Sequence, residues 1–454
     1  MTAQTFDIQQ FVDRQPLRPV HFTVLALCTL ILFIDGFDVF LLGKIAPAVA
    51  EDFGIPVEGM TSVFVAQQVG LAIGAFGIGP ITDRWGRRST LMVAAAFFGP
   101  LTLALAFVNS LALFAVLRGI SGLFLGGLLP VALALIAETV PKARRATFLS
   151  IAMAGYSLGA AAGAAVAAWL IDRLGWESGF LIGGIVPILL LPVMHFLLPE
   201  SLPFRVRRQH SRGRICATLR RLDPSVPLTG EERFVLEESR LGANDTGGVF
   251  DIFRSGRAPA TLLLWAAAFL SMGNIALMAS WMPSFFFEMA GVPIQDFAKV
   301  AVLGVFGGFL GSLTVGWFID KFSATGVLIA FYLLNSLLIV LLGTVGFGSL
   351  LFVAVLIVWQ FSQTGGQAGL NAYLAQFYPT AVRGTGFSWA GGAGRIGGVV
   401  SPFLGGLALA SHLDLGTTFR LLAAIPLGVA ALVLILRIST RPGAAGRRPA
   451  EQAA

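Results

Sequence analysis

The segment GPITDRWGRRS, residues 79–89, separates two apolar runs, and its residue types specify how two membrane helices are joined. The first glycine lets its helix approach a neighbour closely, and Gly86 provides the turn. Asp83 can cap a helix N-terminus or pair with an arginine. Arg87 and Arg88 would hold the turn at an aqueous surface. A plain basic turn is the alternative interpretation.

The same pattern recurs in the second half of the chain, at offsets of 237 and 238 residues. The matched pairs are Gly70/Gly307, Gly74/Gly311, Gly79/Gly316, Asp83/Asp320, Arg84/Lys321, Ala137/Ala375, Pro141/Pro379, Arg145/Arg383 and Thr147/Thr385. Chance agreement at nearly one offset does not account for nine positions. A parallel duplication of this kind is typical of two-bundle transporters, in which substrate binds near the bilayer midplane and one bundle rocks against the other.

The composition excludes an ordinary soluble enzyme, a disordered chain and a coiled coil. Hydrophobic residues make up 56% of the 454 residues and charged residues only 12%, against about 25% charged in soluble proteins. Two cysteines cannot form a disulfide scaffold, and four isolated histidines predict no metal site. We therefore predict an all-α membrane protein with no cofactor.

Twelve apolar runs are long enough to cross about 30 Å of hydrocarbon, and we number them spans 1 to 12. Their approximate limits are 22–46, 60–81, 89–109, 111–138, 147–172, 179–198, 259–287, 297–319, 325–345, 349–376, 385–411 and 417–438. The predicted fold has 12 transmembrane helices in two pseudo-symmetric six-helix bundles. The predicted domains are an N-terminal bundle at 1–198, a cytoplasmic central loop at 199–258, and a C-terminal bundle with its tail at 259–454.

The distribution of basic residues predicts the orientation in the membrane. If both termini are cytoplasmic, 25 of the 31 lysines and arginines fall in cytoplasmic segments. The basic composition then follows from topology, and no nucleic-acid partner is needed. Span 1 is expected to be retained, since no small-residue cleavage site follows it. The central loop, with eleven arginines and eight acidic residues, is expected to be a linker with short amphipathic helices, or alternatively a regulatory surface.

Four ionisable residues lie within spans and away from the span ends: Asp35, Asp38, Arg118 and Arg395. Since a charge at the bilayer centre costs about 2.5–3.5 kcal/mol even on the lenient insertion scale, such residues are functional by default. Asp35 and Asp38 share one helix face. Two neighbouring carboxylates in a low dielectric repel, so one can take up and release a proton. Alternatively, one of them is a permanently ionised partner of an arginine.

Each half contributes one of the two intramembrane arginines. A guanidinium presents a fork of donors that matches a carboxylate. We predict that Arg118 pairs with Asp35 or Asp38 and that substrate can also contact it. Arg395 is either a ligand for a substrate carboxylate or an inner gate residue.

Further polar and aromatic residues in the spans are candidates for the substrate cavity. Each has the alternative role of an interhelical hydrogen bond or an interfacial ring. The predicted substrate ligands in this group are Tyr156, Asn274, Trp281, Gln363, Gln367 and Trp389. The predicted gating residues are Gly79, Asp83, Arg84, Gly86, Arg87, Arg88, Glu138, Asp320 and Arg383, with Glu138 pairing with a cytoplasmic arginine such as Arg87 or Arg88.

These features resemble the major facilitator superfamily and, within it, the aromatic acid:proton symporter family. The resemblance covers nearly the whole chain. The matching stretches are the 79–89 loop, Asp35-Gly36-Phe37-Asp38, the span-4 stretch from Arg118 to Pro130, Pro199-Glu200-Ser201, Tyr378 to Gly386, and Gly394-Arg395-Ile396-Gly397. The chain departs from the pattern at Leu129-Pro130-Val131-Ala132, where the family carries a polar residue after the proline, and at Met272-Gly273-Asn274. These departures leave the ring substituents of the substrate open.

The resemblance implies proton-driven uptake of benzoate-like or hydroxybenzoate-like anions in the inner membrane of a bacterium. It also implies that Asp35 and Asp38 couple the proton and that the 83–88 loop gates the path. The expected partners are a small organic anion, protons and the lipid bilayer, and a monomer suffices. The alternatives are a symporter or exchanger of another organic anion, such as a sugar acid or dicarboxylate, and a receptor that does not transport. A membrane enzyme is not expected, since no nucleophile–base set is visible.

Overall fold

The computed structural model describes residues 5–209, 211–223, 226, 233–235, 252–254, 256–378 and 383–439. These residues form twelve helices, or pairs of helices, that are long and apolar enough to span a membrane. The span count predicted from the sequence is confirmed. Pro19 stands in the first turn of span 1, where its missing N–H costs no hydrogen bond.

The helices have the following bounds, in chain order. They are Pro19–Asp52, Thr61–Trp85, Arg87–Leu105, Leu111–Leu125 with Leu128–Thr139, Lys142–Trp169, Glu177–Leu197, Ala258–Ala290, Ile294–Lys321, Ala324–Thr344, Leu350–Phe377, Arg383–Ala410, and Leu415–Leu422 with Ala424–Ser439. Spans 4 and 12 are therefore interrupted, which the continuous apolar runs did not indicate. Span 3 ends at Leu105 and span 4 begins at Leu111, so the link between them is longer than the predicted span limits of 109 and 111 indicated.

Short elements outside the spans pack into a small apolar cluster. A two-stranded parallel sheet pairs β1 (Thr5–Asp7) with β2 (Arg233–Val235), with Phe6 opposite Phe234. Helices Ile8–Arg14, Leu202–Arg207 and Arg212–Leu222 complete the group. The cluster buries Ile8, Val12, Leu202, Ile215, Leu219 and Leu222. The central loop thus contains the short helices that its sequence predicted.

The described residues divide into two compact units, each with its own apolar core. Unit 1 comprises Met1–Asp245, Leu277–Val305 and Val399–Leu413, and unit 2 comprises Thr246–Ala276, Phe306–Gly398 and Asp414–Ala454. Spans 7, 8 and 11 each contribute to both units, so this division does not follow chain order. The domain boundaries at 198 and 259 stay predictions.

Glycines bring the helices of each unit into close contact by the same rule. In unit 1, a methyl group added at Gly70 or Gly74 would collide with the span-4 carbonyls of Gly119 and Leu123. In unit 2, a methyl group at the repeat counterparts Gly307 and Gly311 would collide with the span-10 carbonyls of Ile357 and Phe361. Those carbonyls are themselves 238 residues apart. The repeat therefore describes shared packing as well as shared sequence.

Large apolar side chains cover the outside of the helices. Phe107, Phe196 and Leu350 are 72%, 73% and 85% exposed. Exposed apolar surface of this kind is costly in water and favourable in hydrocarbon.

Candidate functional site

The centre of unit 1 holds an ion pair with no solvent exposure. Arg118 Nη1 lies 2.6 Å from Asp38 Oδ2, and both side chains are 0% exposed. The guanidinium also donates from Nη2 to the backbone oxygen of Asp38 at 2.7 Å and from Nε to Gln67 Oε1 at 3.3 Å. The carboxylate contact is close but not aligned as a hydrogen bond, since no described residue directs a donor of good geometry at either Asp38 oxygen. The pair is held mainly by charge attraction.

Asp35 lies one helical turn before Asp38 and is 4% exposed. Within the described residues, its carboxylate makes no hydrogen bond and no ion pair. Its electrostatic neighbours are the like charge of Asp38 and the ring of Tyr156. Gly36 packs against the backbone carbonyl of Tyr156, so spans 1 and 5 are in close contact beside this carboxylate. One acid is therefore balanced by an arginine, and the second is not.

Unit 2 contains a buried network of uncharged polar groups. Asn274 Nδ2 donates to Gln363 Oε1 at 2.8 Å and to Asn335 Oδ1 at 3.3 Å. Asn335 Nδ2 donates to Ser362 Oγ at 3.2 Å, and Ser362 Oγ donates to the carbonyl of Trp359 at 2.8 Å. A second group links Ser271 to Gln367 Oε1 and to the Tyr332 hydroxyl, each at 2.6 Å. The structure thus joins three of the predicted ligands, Asn274, Gln363 and Gln367, to polar partners.

Arg395 is the intramembrane charge of unit 2. It lies in span 11, is half-buried, and has no ion pair or hydrogen bond within the described part of the chain. Span 11 packs closely on span 7 beside it, because Gly397 abuts the carbonyl of Phe269 and Gly394 lies near Ala268. A guanidinium in hydrocarbon without an internal partner is suited to an anionic ligand.

The predicted aromatic ligands differ in their surroundings. Tyr156 is half-buried and packs edge-on against Phe40 with ring centroids 6.0 Å apart. Trp281 is fully buried against Phe64 and donates its indole N–H to the Pro402 carbonyl at 3.0 Å. Trp389 is 46% exposed and stacks on Trp265 at 5.7 Å. The contacts of Trp281 are those of an interhelical anchor, and its role as a ligand stays a prediction.

The turn at Gly86 is held by a carboxylate from the end of span 6. Glu200 Oε1 accepts from the backbone N–H groups of Arg87 at 2.9 Å, Arg88 at 3.1 Å and Ser201 at 2.9 Å. This caps the first turn of span 3, where free N–H groups and the helix dipole favour an anion. No role for Glu200 was predicted from the sequence. The signal was its place in the Pro199-Glu200-Ser201 motif.

A short chain of polar contacts continues from this cap. Arg87 Nη2 lies 2.9 Å from Glu138 Oε1 and 3.4 Å from Asp83 Oδ1. Glu138 also accepts a hydrogen bond from the hydroxyl of Ser201. The pairing of Glu138 with Arg87 is one of the two that the sequence suggested. The ends of spans 2, 3, 4 and 6 are thus tied together.

The remaining predicted gating residues make fewer described contacts. Arg88 donates from Nη2 to the His195 carbonyl, whereas Arg84 and Asp320 are exposed. Gly79 lies within the span-2 helix. Arg383 begins the span-11 helix, but its side chain lies outside the described residues, as does Pro379.

Gly86→Ala is expected to destabilise the protein. Gly86 has φ +97°, and an added methyl group would collide with Glu200 Oε2. Strained backbone of this kind costs about 1–3 kcal/mol, so the melting temperature of the purified protein should fall. Gly77→Ala is the matched control, since Gly77 is helical and nothing lies within 4 Å of the added group. Equal melting temperatures for the two variants would contradict the prediction.

Twelve spans, a duplicated packing rule and isolated charges inside the spans define a membrane transporter rather than an enzyme. The chain belongs to the Major Facilitator Superfamily, whose family model matches residues 28–402 and 297–454. The resemblance drawn from the sequence is confirmed by its relatives.

The relatives match along nearly their whole length. The chain is 35% identical over 429 residues to a gallate transporter of Pseudomonas putida, with 94% of each chain covered. It is 34% identical over 419 residues to the 4-hydroxybenzoate transporter PcaK of Pseudomonas aeruginosa, with 92% of each covered. It is 28% identical over 442 residues to a benzoate transport protein of Acinetobacter baylyi, covering 95% of this chain and 93% of the other.

Two solved structures share the fold. A mutant of the nucleoside transporter NupG has a TM-score of 0.68 at 13% identity, covering 92% of this chain and 99% of the other. A bacterial homologue of the human lysosomal transporter Spinster has a TM-score of 0.63 at 16% identity, covering 93% and 96%.

Proposed function

We propose that this protein imports an aromatic carboxylate of the benzoate and hydroxybenzoate class together with protons. It would work by alternating access in the bacterial inner membrane, with both termini in the cytoplasm. The transport of gallate, 4-hydroxybenzoate and benzoate by its relatives supports the substrate class. The observation that carries proton coupling is the buried Asp38–Arg118 pair beside the unpaired Asp35.

The proposed proton site follows from the unequal environments of the two acids. Three charges lie close together in hydrocarbon, and only two of them cancel. A proton on either Asp35 or Asp38 changes the net charge of the group and, on Asp38, weakens its attraction to Arg118. The substrate carboxylate would bind a guanidinium. Arg395 has no ion-pair partner among the described residues, and Arg118 becomes available after protonation.

Contacts within unit 1 support a path that opens and closes. Span 1 abuts span 7 where Gly43 lies against the Ala279 carbonyl, and span 2 abuts span 11 where Gly406 lies against Thr61. Phe64 packs on Trp281 at 4.9 Å in the same region. In the predicted orientation, these contacts lie toward the periplasmic ends. No ion pair among the described residues joins these contacts, so separating them costs little electrostatic energy.

Proton movement in proteoliposomes tests the proposal. Benzoate, 4-hydroxybenzoate, protocatechuate, gentisate and a sugar acid are added in turn to the wild type and to Asp38→Asn. We expect alkalinisation of the outer medium with an aromatic acid, and its loss in the variant. A signal from the sugar acid alone would overturn the substrate class. Substrate binding without proton flux would favour exchange or a receptor and overturn symport.

A further inference from the structure

Asn274 and Gln363 leave one acceptor and one donor unused deep in unit 2. Asn274 is 1% exposed and Gln363 is 6% exposed. Among the residues that the structure describes, Asn274 Oδ1 and Gln363 Nε2 have no hydrogen-bond partner. The amides that carry these two groups are joined by the 2.8 Å bond from Asn274 Nδ2 to Gln363 Oε1.

Amide orientations are normally ambiguous, but here the network fixes them. The carbonyl of Trp359 can only accept, so the Ser362 hydroxyl donates to it and must accept from Asn335 Nδ2. Asn335 therefore turns its oxygen toward Asn274, which must present its NH2 group. Both hydrogens of that group are then used, one on Asn335 and one on Gln363. The unused pair is consequently Asn274 Oδ1 with Gln363 Nε2, and rotating either amide would set donor against donor or acceptor against acceptor.

The position of Asn274 in the repeat points to a ligand. In unit 1, Gly159 abuts the Phe33 carbonyl, and in unit 2 Gly397 abuts the Phe269 carbonyl. Asp38 lies five residues after Phe33, and Asn274 lies five residues after Phe269. The place that carries a charged acid in one half thus carries a neutral amide in the other. A neutral donor–acceptor pair does not select an anion, but it matches a hydroxyl, which donates and accepts at one oxygen.

We propose that Asn274 and Gln363 recognise a hydroxyl group on the aromatic ring of the substrate and so determine its specificity. This inference rests on the proposed import of an aromatic acid. The hydroxyl would donate to Asn274 Oδ1 and accept from Gln363 Nε2. Gly273 of span 7 packs near Gly397 of span 11, so these two residues lie at the same height along their helices. Asn274 therefore lies about three residues, or about 4.5 Å of helix rise, beyond Arg395. If the substrate carboxylate binds Arg395, the aromatic ring spans that interval and presents a meta or para hydroxyl to Asn274 and Gln363.

The experiment measures competition by ring analogues against labelled substrate uptake. The competitors are benzoate, 2-, 3- and 4-hydroxybenzoate, and 4-methoxybenzoate. The wild type should prefer 3- or 4-hydroxybenzoate to benzoate by at least about 10-fold, since a site built to bond a hydroxyl rejects the analogue that lacks it. The methoxy compound has no donor, and the hydroxyl of 2-hydroxybenzoate bonds its own carboxylate. Both should therefore behave like benzoate.

Asn274→Leu and Gln363→Met should each bring the ratio of hydroxybenzoate to benzoate affinity close to one. Either variant alone suffices if the other fails to fold, as judged by its melting temperature. Gln376→Leu, on an exposed position of the same helix, is the control and should keep the wild-type ratio. An unchanged ratio in the folded variants would overturn this inference alone. A wild type that takes up no aromatic acid would overturn the proposed function and the inference together.

Discussion

Asp38→Asn and Arg118→Gln, made singly, are each expected to abolish proton-driven uptake and to lower the free energy of unfolding by about 3–5 kcal/mol, because each leaves an uncompensated buried charge. The double variant removes both charges. It should regain most of the lost stability and remain inactive. Melting temperatures and substrate-driven proton flux in proteoliposomes measure the two effects separately.

A second ion pair in the same unit provides the matched control. Arg145 and Asp13 lie 2.9 Å apart, but their side chains are 27% and 25% exposed. Removing that pair should cost no more than about 1 kcal/mol, since solvent screens it. If Asp38→Asn lowered the free energy of unfolding as little as Asp13→Asn does, the prediction that the buried pair stabilises the fold would be wrong.

Asp35→Asn separates coupling from stability. Asp35 has no ion-pair partner within the described residues, so its neutral replacement leaves no charge stranded. We expect a melting temperature near that of the wild type, with substrate exchange retained and proton-driven accumulation lost. Unimpaired accumulation would assign coupling to Asp38 alone.

The charged part of the site could be predicted from the sequence because the membrane makes charges rare there. Four charged residues stand out in the apolar runs, namely Asp35, Asp38, Arg118 and Arg395. The free-energy cost of burying them indicates a functional role. The pairing of Arg118 with an acid of span 1 follows from the same cost. The choice of Asp38 over Asp35 does not, since it depends on how spans 1 and 4 are rotated about their axes.

The uncharged part of the site could not be predicted in the same way. Ser362 and Asn335 are ordinary in transmembrane helices, and only the hydrogen bonds between spans 7, 9 and 10 show that they orient Asn274. Glu200 was missed for a related reason, as it caps a helix more than one hundred residues earlier in the chain. Contacts between distant segments leave no local pattern.

The packing units also differ from chain order for a physical reason. Spans 7, 8 and 11 are 28 to 33 residues long, so the two ends of one helix can pack in different surroundings. A duplication detected in sequence defines which segments are related. It does not define which of their ends are in contact.

Arg395→Ala is expected to weaken binding of an aromatic carboxylate by about 2–4 kcal/mol, the usual cost of truncating one partner of a buried, hydrogen-bonded charge pair. The variant should remain folded, since no internal ion pair or hydrogen bond within the described residues is lost. Arg395→Lys keeps the charge but not the planar fork, and we expect it to recover only part of the affinity. Competition against labelled substrate measures the affinity of the wild type and of both variants for the aromatic carboxylate.

Two comparisons separate a carboxylate ligand from a gate residue. Benzamide has the ring but no negative charge, so Arg395→Ala should leave its affinity unchanged while weakening benzoate. Arg420→Ala is the control, because Arg420 is exposed and its hydrogen bonds to described residues go to Gly416 and Thr417 within its own turn. If Arg395→Ala retained benzoate affinity but lost turnover, the residue would act on the opening of the path and not on the substrate. A loss confined to anions would instead assign the carboxylate end of the substrate to span 11.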